Sequence, residues 1–102
     1  MNEILVLNTT ATLEQAEQIA TSLVDNGEAA CVNIVSGMRS IYRWEGKTCN
    51  ESEYLLLIKS KAEKFEAIRA RIKSMHSYAV PEIIAFPITM GDDAYLSWLA
   101  SV

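Results

Sequence analysis

The segment from residue 29 to residue 44 places the strongest constraint on the fold of this chain. Val, Ile, Tyr and Ala dominate these sixteen residues, and only Ser36-Gly37 interrupts them, where a β-bulge or bend is expected. A straight strand of this length would span on the order of 50 Å, whereas a domain of roughly 100 residues has a radius of gyration of about 13 Å. The strand must therefore bend or project, and we expect an oligomer in which neighbouring subunits cover its apolar side chains. Those side chains are Val35, Met38, Ile41, Tyr42 and Trp44.

The whole chain predicts four strands and three helices in the order β-α-β-β-α-β-α. The first helix begins at a capping box formed by Thr12 and Gln15, and Gly27 ends it. Pro87 donates no ladder hydrogen bond, so the fourth strand is confined to a sheet edge or a bulge. The predicted elements are a strand over 3–10, a helix from 12 to 27, a strand over 29–44, a hairpin turn at 44–47, a strand over 48–59, a helix that begins with a second capping box at 60–63, a strand over 83–88 and a helix capped by 91–93.

This order is typical of the ferredoxin-like sandwich, an α+β fold in which two helices pack on one face of a four-stranded antiparallel sheet. Its usual strand order, 4-1-3-2, places the fourth strand at an edge. The long bent hairpin and the extra C-terminal helix are additions to that plan. The predicted core combines the apolar stripes of the first two helices, which are Leu13, Ala16, Ile19, Ala20, Leu23 and Val24 in the first and Phe65, Ile68, Ile72 and Met75 in the second.

Length and charge exclude several classes of protein. A chain of 102 residues allows one domain, 1–102. Nine Lys and Arg against thirteen Asp and Glu give a net charge of -4, which disfavours nucleic acid as a partner. Residues 1–7 contain no basic residue, and their apolar run is too short for a signal sequence or a membrane span. We expect a cytoplasmic protein with no nucleic-acid or membrane partner.

The two cysteines are predicted to be thiols because they lie far apart on the hairpin. Counting back from the turn at 44–47 places Cys31 opposite Ser60 and next to Lys59, while Cys49 lies near the hairpin tip. That separation is far beyond the reach of a disulfide. An ammonium group beside Cys31 would favour the thiolate and therefore metal binding.

Five sequence blocks follow one another along nearly the whole chain. They are Ala29–Ile34, Ser40–Lys47, Leu56–Lys59, His76–Tyr78 with Val80–Ile83, and Tyr95–Trp98. Together they resemble the CutA family, the divalent-cation tolerance proteins. The resemblance implies a ferredoxin-like homotrimer, similar in architecture to the PII signalling proteins, with clefts between subunits. It also implies association with copper or another divalent cation and a role in the response to metal ions. It does not imply a known catalytic reaction, and we expect no organic cofactor.

Three side chains are candidate metal ligands in those clefts: Cys31, His76 and Glu82. Imidazole suits Cu(II) and Zn(II), but one His and one Cys do not fill a tetrahedral site. A subunit interface would supply the rest, with Glu82 as the carboxylate. The alternatives are that Cys31 is a small buried hydrophobic residue and that His76 interacts with the C-terminal dipole of the second helix.

Lys59, Tyr78 and Trp44 are the candidate residues of a ligand-binding cleft. Charges at the ends of apolar strands are usually paired or line a cleft. Lys59 therefore either pairs with Glu82 at a subunit boundary or binds an anionic ligand. Aromatic residues concentrate at interfaces, so Tyr78 and Trp44 either pack between subunits or line an intersubunit pocket.

Two functions follow from these residues. The first is a trimer that binds copper or another divalent metal, and the second is a PII-like sensing or signalling trimer that binds an anionic ligand. None of the four glycines lies in a phosphate-binding loop, which counts against the second. A purely structural trimer whose function depends on a partner protein is a third alternative. Sequence alone brings together no Ser-His or Cys-His pair, so we do not expect an enzyme.

Overall fold

A computed structural model describes residues 2–102 and contains, over that range, four strands and three α-helices in the predicted order. The elements are β1 (Glu3–Thr10), α1 (Leu13–Asp25), β2 (Cys31–Trp44), β3 (Lys47–Lys61), α2 (Phe65–Met75), β4 (Ile83–Pro87) and α3 (Asp93–Ser101), with one turn of 3-10 helix over Ala62–Lys64 before α2. Among the helices of this range, none combines the length and the apolar character needed to cross a membrane.

The strands of the described chain form one sheet in the order β2-β3-β1-β4, with every neighbouring pair antiparallel. This is the predicted order 4-1-3-2, read from the opposite edge. Pro87 lies in the edge strand β4, opposite Ile4 of β1. A residue without an amide donor is tolerated there because an edge strand pairs on one side only. The ferredoxin-like prediction is confirmed.

The long hairpin of β2 and β3 accounts for the elongated shape of the molecule, which measures 44 × 25 × 22 Å. Its strands pair from Cys31 to the turn, where Trp44 lies opposite Lys47. Glu45 and Gly46 form the turn with φ angles of 50° and 78°. Two consecutive positive φ angles are typical of the type I′ turn, whose twist matches that of the flanking strands.

A β-bulge interrupts β2 between Val35 and Met38, at the predicted break. Gly37 lies in it with a φ of 78°, in the left-handed region that glycine adopts most readily. The bulge adds one residue to β2, so the pairing beyond it shifts by one position. Cys31 consequently lies opposite Lys59, and the predicted pairing of Cys31 with Ser60 is wrong.

The helix starts follow the predicted signals in two cases out of three. The Thr12 hydroxyl accepts a hydrogen bond from the backbone N–H of Gln15 at 3.2 Å, and Asp92 accepts one from the backbone N–H of Tyr95 at 3.2 Å. The predicted second capping box is wrong. Ser60 belongs to β3, and its hydroxyl donates to the Glu28 carbonyl at 2.6 Å instead of capping a helix.

The core lies between the sheet and the helices α1 and α2. Most of the predicted helical positions are buried there, but Leu13 and Val24 lie exposed, 46% and 42%, at the margins of the α1 stripe. The fully buried core residues with large side chains are Val6, Ile19, Leu23, Leu56, Ile58, Ile68 and Ile72.

The opposite side of the sheet has an apolar surface, which we call the open sheet face. Directly paired residues of neighbouring strands share a face, so the register Asn33–Leu57–Leu7–Ile84 places these four on it. Leu7 and Leu57 are only half-buried, and Ile84 is 46% exposed. By the same register the open sheet face comprises Leu5, Leu7, Leu55, Leu57, Val35, Ile84 and Phe86, with Cys31, Asn33 and Lys59 at one end.

Candidate functional site

Cys31 and Lys59, two of the predicted site residues, lie together at one end of the open sheet face. They are directly opposite each other in β2 and β3. Asn33 connects them, because its Oδ1 accepts a hydrogen bond from Lys59 Nζ and lies 4.0 Å from Cys31 Sγ. Cys31 is half-buried and, like Cys49, a free thiol. The structure thus places an ammonium group and a soft sulfur donor side by side.

His76 reaches back from the end of α2 to the end of β1. Its Nε2 lies 2.7 Å from the Thr9 carbonyl, and its Nδ1 accepts a hydrogen bond from the Tyr78 backbone N–H at 3.0 Å. A carbonyl oxygen only accepts and an amide only donates, so the ring is neutral and carries its proton on Nε2. Both ring nitrogens are therefore occupied, and His76 would bind a metal only by giving up one of these bonds.

Glu82 lies exposed in the segment before β4, apart from Cys31 and Lys59. Its backbone carbonyl accepts a hydrogen bond from the buried Asn8 side chain at 2.9 Å. Within residues 2–102, Lys59 and Glu82 form no ion pair, and no three His, Cys, Asp or Glu side chains come together as a possible metal site. The predicted ligands Cys31, His76 and Glu82 are thus not assembled within one chain.

Three of the predicted residues, Trp44, Tyr78 and Glu82, do come together. They line a cleft of about 730 Å³, which we call the hairpin cleft, between the projecting hairpin and the segment that joins α2 to β4. The side chains that determine its chemistry are Arg39, Tyr42, Trp44, Glu53, Tyr78 and Glu82.

Glu53 is the functional candidate that the sequence analysis missed. It is only 6% exposed, and its Oε2 accepts a hydrogen bond of 2.6 Å from the Tyr78 hydroxyl. Burial, together with the Glu53 carboxylate, raises the pKa of the Tyr78 phenol above its usual range, so the phenol remains a hydrogen-bond donor at neutral pH. The signal in the sequence is the alternation of Glu53 with Leu55 and Leu57, which places a carboxylate in line with the open sheet face.

The other groups of the hairpin cleft set its charge. Arg39 contributes one guanidinium, whose Nη1 donates to the Ser52 hydroxyl at 2.6 Å, against the carboxylates of Glu53 and Glu82. Tyr42 and Trp44 are 39% and 48% exposed in the single chain, and they are among the hairpin side chains that neighbouring subunits are expected to cover. The pKa of Tyr42 is raised, mainly because the phenol is desolvated and secondly because the Glu51 carboxylate lies nearby. The cleft is therefore aromatic and carries more negative than positive groups.

Comparisons with known proteins agree with this architecture. A model of the family described as CutA1 divalent ion tolerance protein matches residues 4–102. The divalent-cation tolerance protein CutA of Thermus thermophilus is 47% identical over 97 residues, which cover 95% of this chain and 94% of that protein. A solved structure of the divalent cation tolerance protein from Thermus thermophilus superposes with a TM-score of 0.94 at 46% identity, covering 97% of this chain and 96% of that one.

A plant relative has the same fold. The crystal structure of CutA1 from Oryza sativa superposes with a TM-score of 0.93 at 41% identity, covering 97% of this chain and 91% of that one. The family match, the sequence identity and the superpositions all extend over almost the whole chain, which confirms the resemblance seen in the five sequence blocks. The chain belongs to the CutA1 family of divalent-cation tolerance proteins.

Proposed function

We propose that this protein acts in divalent-cation tolerance as a homotrimer that binds copper or another divalent metal ion. The observation that carries the proposal is the open sheet face, an apolar surface with the Cys31 thiol and the Lys59 ammonium group at its end. The match to the family over residues 4–102 supports the role in cation tolerance.

The open sheet face supports the proposed assembly. Val35, Ile84 and Phe86 are each between 43% and 49% exposed on it. Burying apolar surface stabilises an assembly by about 25 cal/mol per Å², and contiguous apolar patches of this kind mark interaction sites. Further copies of the same chain would cover both this face and the exposed side chains of the hairpin.

The position of Cys31 supports a metal site formed by more than one subunit. The Cys31 sulfur is a soft donor of the kind that binds copper and zinc. In a trimer that buries the open sheet face, each subunit would bring one Cys31 to the interface. Glu82 is exposed, and His76 would bind a metal only by releasing Thr9 or Tyr78. Because these two side chains lie apart from Cys31 within one chain, a metal site that combines all three would need ligands from different subunits.

Native mass spectrometry tests both parts of the proposal. The protein is measured alone and with slightly substoichiometric Cu(II) in the presence of a weak competing chelator. We expect a trimer that retains a fixed number of copper ions, and loss of the copper in Cys31→Ser. Cys49→Ser, which alters the half-buried thiol near the hairpin tip, is the matched control and should retain the metal.

Other outcomes would contradict the proposal in distinct ways. A monomer would contradict the assembly. A trimer that loses its copper to the chelator, or Cys31→Ser trimers that retain it, would contradict the metal site. His76→Ala and Glu82→Gln in the same experiment show whether either side chain contributes a ligand.

We further propose that the protein is not an enzyme and that it works in the cytoplasm. Both nitrogens of His76 are hydrogen-bonded to backbone groups, which leaves the imidazole unsuited to act as a general base for a nucleophile. The two free thiols fit a reducing compartment, where cysteines stay unpaired. Fractionation of cells that produce the native chain tests the location.

A further inference from the structure

We propose that Asn26 is a site of spontaneous deamidation, and that the hydrogen bonds at the end of α1 control how fast it reacts. The chain contains five asparagines, and Asn26 is the only one that a glycine follows. Asparagine is among the thermolabile residues of proteins. Gly27 leaves its backbone nitrogen unhindered because glycine has no Cβ atom. Asn26 is also exposed, so water reaches it.

The reaction needs water as its only co-reactant. The backbone nitrogen of Gly27 forms a bond to Cγ of Asn26, and the side-chain amide leaves as ammonia together with the backbone proton. The cyclic imide then adds one water molecule. Addition at Cγ gives aspartate, whereas addition at the main-chain carbonyl gives isoaspartate. The new carboxylic acid passes its proton to the ammonia, so the net change is an amide replaced by a carboxylate.

The folded chain holds Asn26 in a conformation that cannot form the imide. The side-chain nitrogen of Asn26 donates to the Ser22 carbonyl at 2.8 Å, and the Gly27 backbone N–H donates to the Val24 carbonyl at 3.0 Å. Gly27 closes the helix with a φ of 67°. The imide forms only after the side chain leaves Ser22 and the peptide between residues 26 and 27 rotates away from the present ψ of 6°. Deamidation therefore proceeds through local opening of this helix end.

Lys64 fastens the end of α1 to the rest of the chain. Its Nζ donates to the Gly27 carbonyl at 2.6 Å and to the main-chain oxygen of Val102 at 2.8 Å. Lys61 makes a similar contact near the C-terminus, where its Nζ donates to the Ala100 carbonyl at 2.9 Å. Removal of the Lys64 ammonium group therefore frees Gly27, whereas removal of the Lys61 ammonium group leaves the Gly27 contact intact.

Deamidation would weaken the end of α1. A carboxylate only accepts hydrogen bonds, so the product could no longer donate to the Ser22 carbonyl. It would also add a negative charge next to Asp25, at the helix end where the macrodipole is already negative. The helix α1 packs on the side of the sheet opposite the open sheet face. An assembly that covers the open sheet face and the hairpin therefore leaves Asn26 exposed.

Peptide mass spectrometry of the full chain after incubation at mildly alkaline pH tests the proposal. We expect aspartate and isoaspartate to accumulate at position 26 and not at Asn50, which Glu51 follows. In the chain unfolded with guanidinium chloride, the rate at Asn26 should rise by at least about tenfold, because the cap no longer has to open. An Asn26 that stays intact in the unfolded chain, or that reacts equally fast in the folded and unfolded chains, would overturn the proposal.

Two lysine variants test the control of the rate in the folded chain. Lys64→Met should speed deamidation by about threefold, as for the loss of one hydrogen bond that holds the cap closed. Lys61→Met is the matched control and should react as the unmodified chain does, so equal rates in the two variants would overturn the role of Lys64. If Lys64→Met does not fold, Asn26→Asp still tests the consequence, because it should lower the midpoint of thermal unfolding. These measurements depend neither on copper nor on assembly.

Discussion

At the scale of single residues, the pairing of Glu53 with Tyr78 shows what a sequence does and does not predict about a site. Tyr78 was predicted either to pack between subunits or to line an intersubunit pocket, because aromatic residues concentrate at interfaces, and within one chain it lines the hairpin cleft. Glu53 was missed because strand alternation predicts the face on which a side chain lies but not the loop that covers it. The segment after α2 brings the Tyr78 hydroxyl to Glu53 of β3, which is twenty-five residues away along the chain. Local sequence patterns contain no information about that contact.

The Tyr78 hydroxyl stabilises the fold in a way that depends on pH. We expect Tyr78→Phe to lower the free energy of unfolding by about 1 to 2 kcal/mol at neutral pH, because the buried Glu53 carboxylate loses its donor. The pKa of the phenol is higher in the folded chain than its ordinary value of about 10 in the unfolded one. Unfolding therefore releases a proton at alkaline pH, and the unmodified chain loses this stability as the pH rises above about 10.

Urea unfolding at neutral pH and at alkaline pH measures both parts of this prediction. The difference between the unmodified chain and Tyr78→Phe should shrink above a pH of about 10, since phenylalanine does not titrate. Tyr95→Phe is the matched control, because Tyr95 is 43% exposed and its removal leaves no buried carboxylate without a donor. A difference that stays constant with pH would contradict the hydrogen-bonded, protonated phenol.

At the scale of elements, tertiary pairing overrides one local signal and preserves another. Ser60 has the sequence context of a helix cap, but β3 continues through Lys61 because its pairing with β1 extends to Glu3. The break at Ser36-Gly37 was predicted correctly, because a glycine inside a strand pattern indicates a bulge. Its consequence, the shift that brings Cys31 opposite Lys59, was not predicted, because the size of the shift depends on which residues of β2 remain paired.

The bulge should be the point of β2 most sensitive to a change of backbone preference. Gly37 has a φ of 78°, and a Cβ atom built there meets nothing within 4 Å. The cost of Gly37→Ala is therefore conformational, and we expect the free energy of unfolding to fall by about 1 kcal/mol. Gly37→Asn should cost less, because asparagine tolerates positive φ better than alanine does. Urea unfolding of both variants decides the matter, and equal stability of Gly37→Ala and the unmodified chain would contradict the strained backbone.

At the scale of the whole molecule, the two sides of the sheet differ in what covers them. The helices α1 and α2 bury Val6, Leu56 and Ile58 completely, whereas Leu57 and Leu7 on the other side are only half-buried. The length of the hairpin predicted an oligomer, and the resemblance to the CutA family implied a homotrimer. The register adds the open sheet face to that argument, because it aligns the outward residues of β1, β3 and β4 into one surface. Within residues 2–102, the helices α1 and α2 both pack on the other side of the sheet.

A charge on the open sheet face should therefore dissociate the assembly without unfolding the chain. Ile84 is 46% exposed, lies opposite Leu7 and is absent from the α1–α2 core. In a trimer Ile84→Asp would bury an unpaired carboxylate, a change that costs several kcal/mol at an interface. Light scattering after size exclusion should give three times the 11.3 kDa of one chain for the unmodified protein and a smaller mass for the variant, with the circular dichroism of both unchanged.

Met90→Asp, at an apolar side chain 86% exposed between β4 and α3, controls for added surface charge and should stay trimeric. If Ile84→Asp kept the full mass, the subunits would have to meet through the hairpin and not through this face.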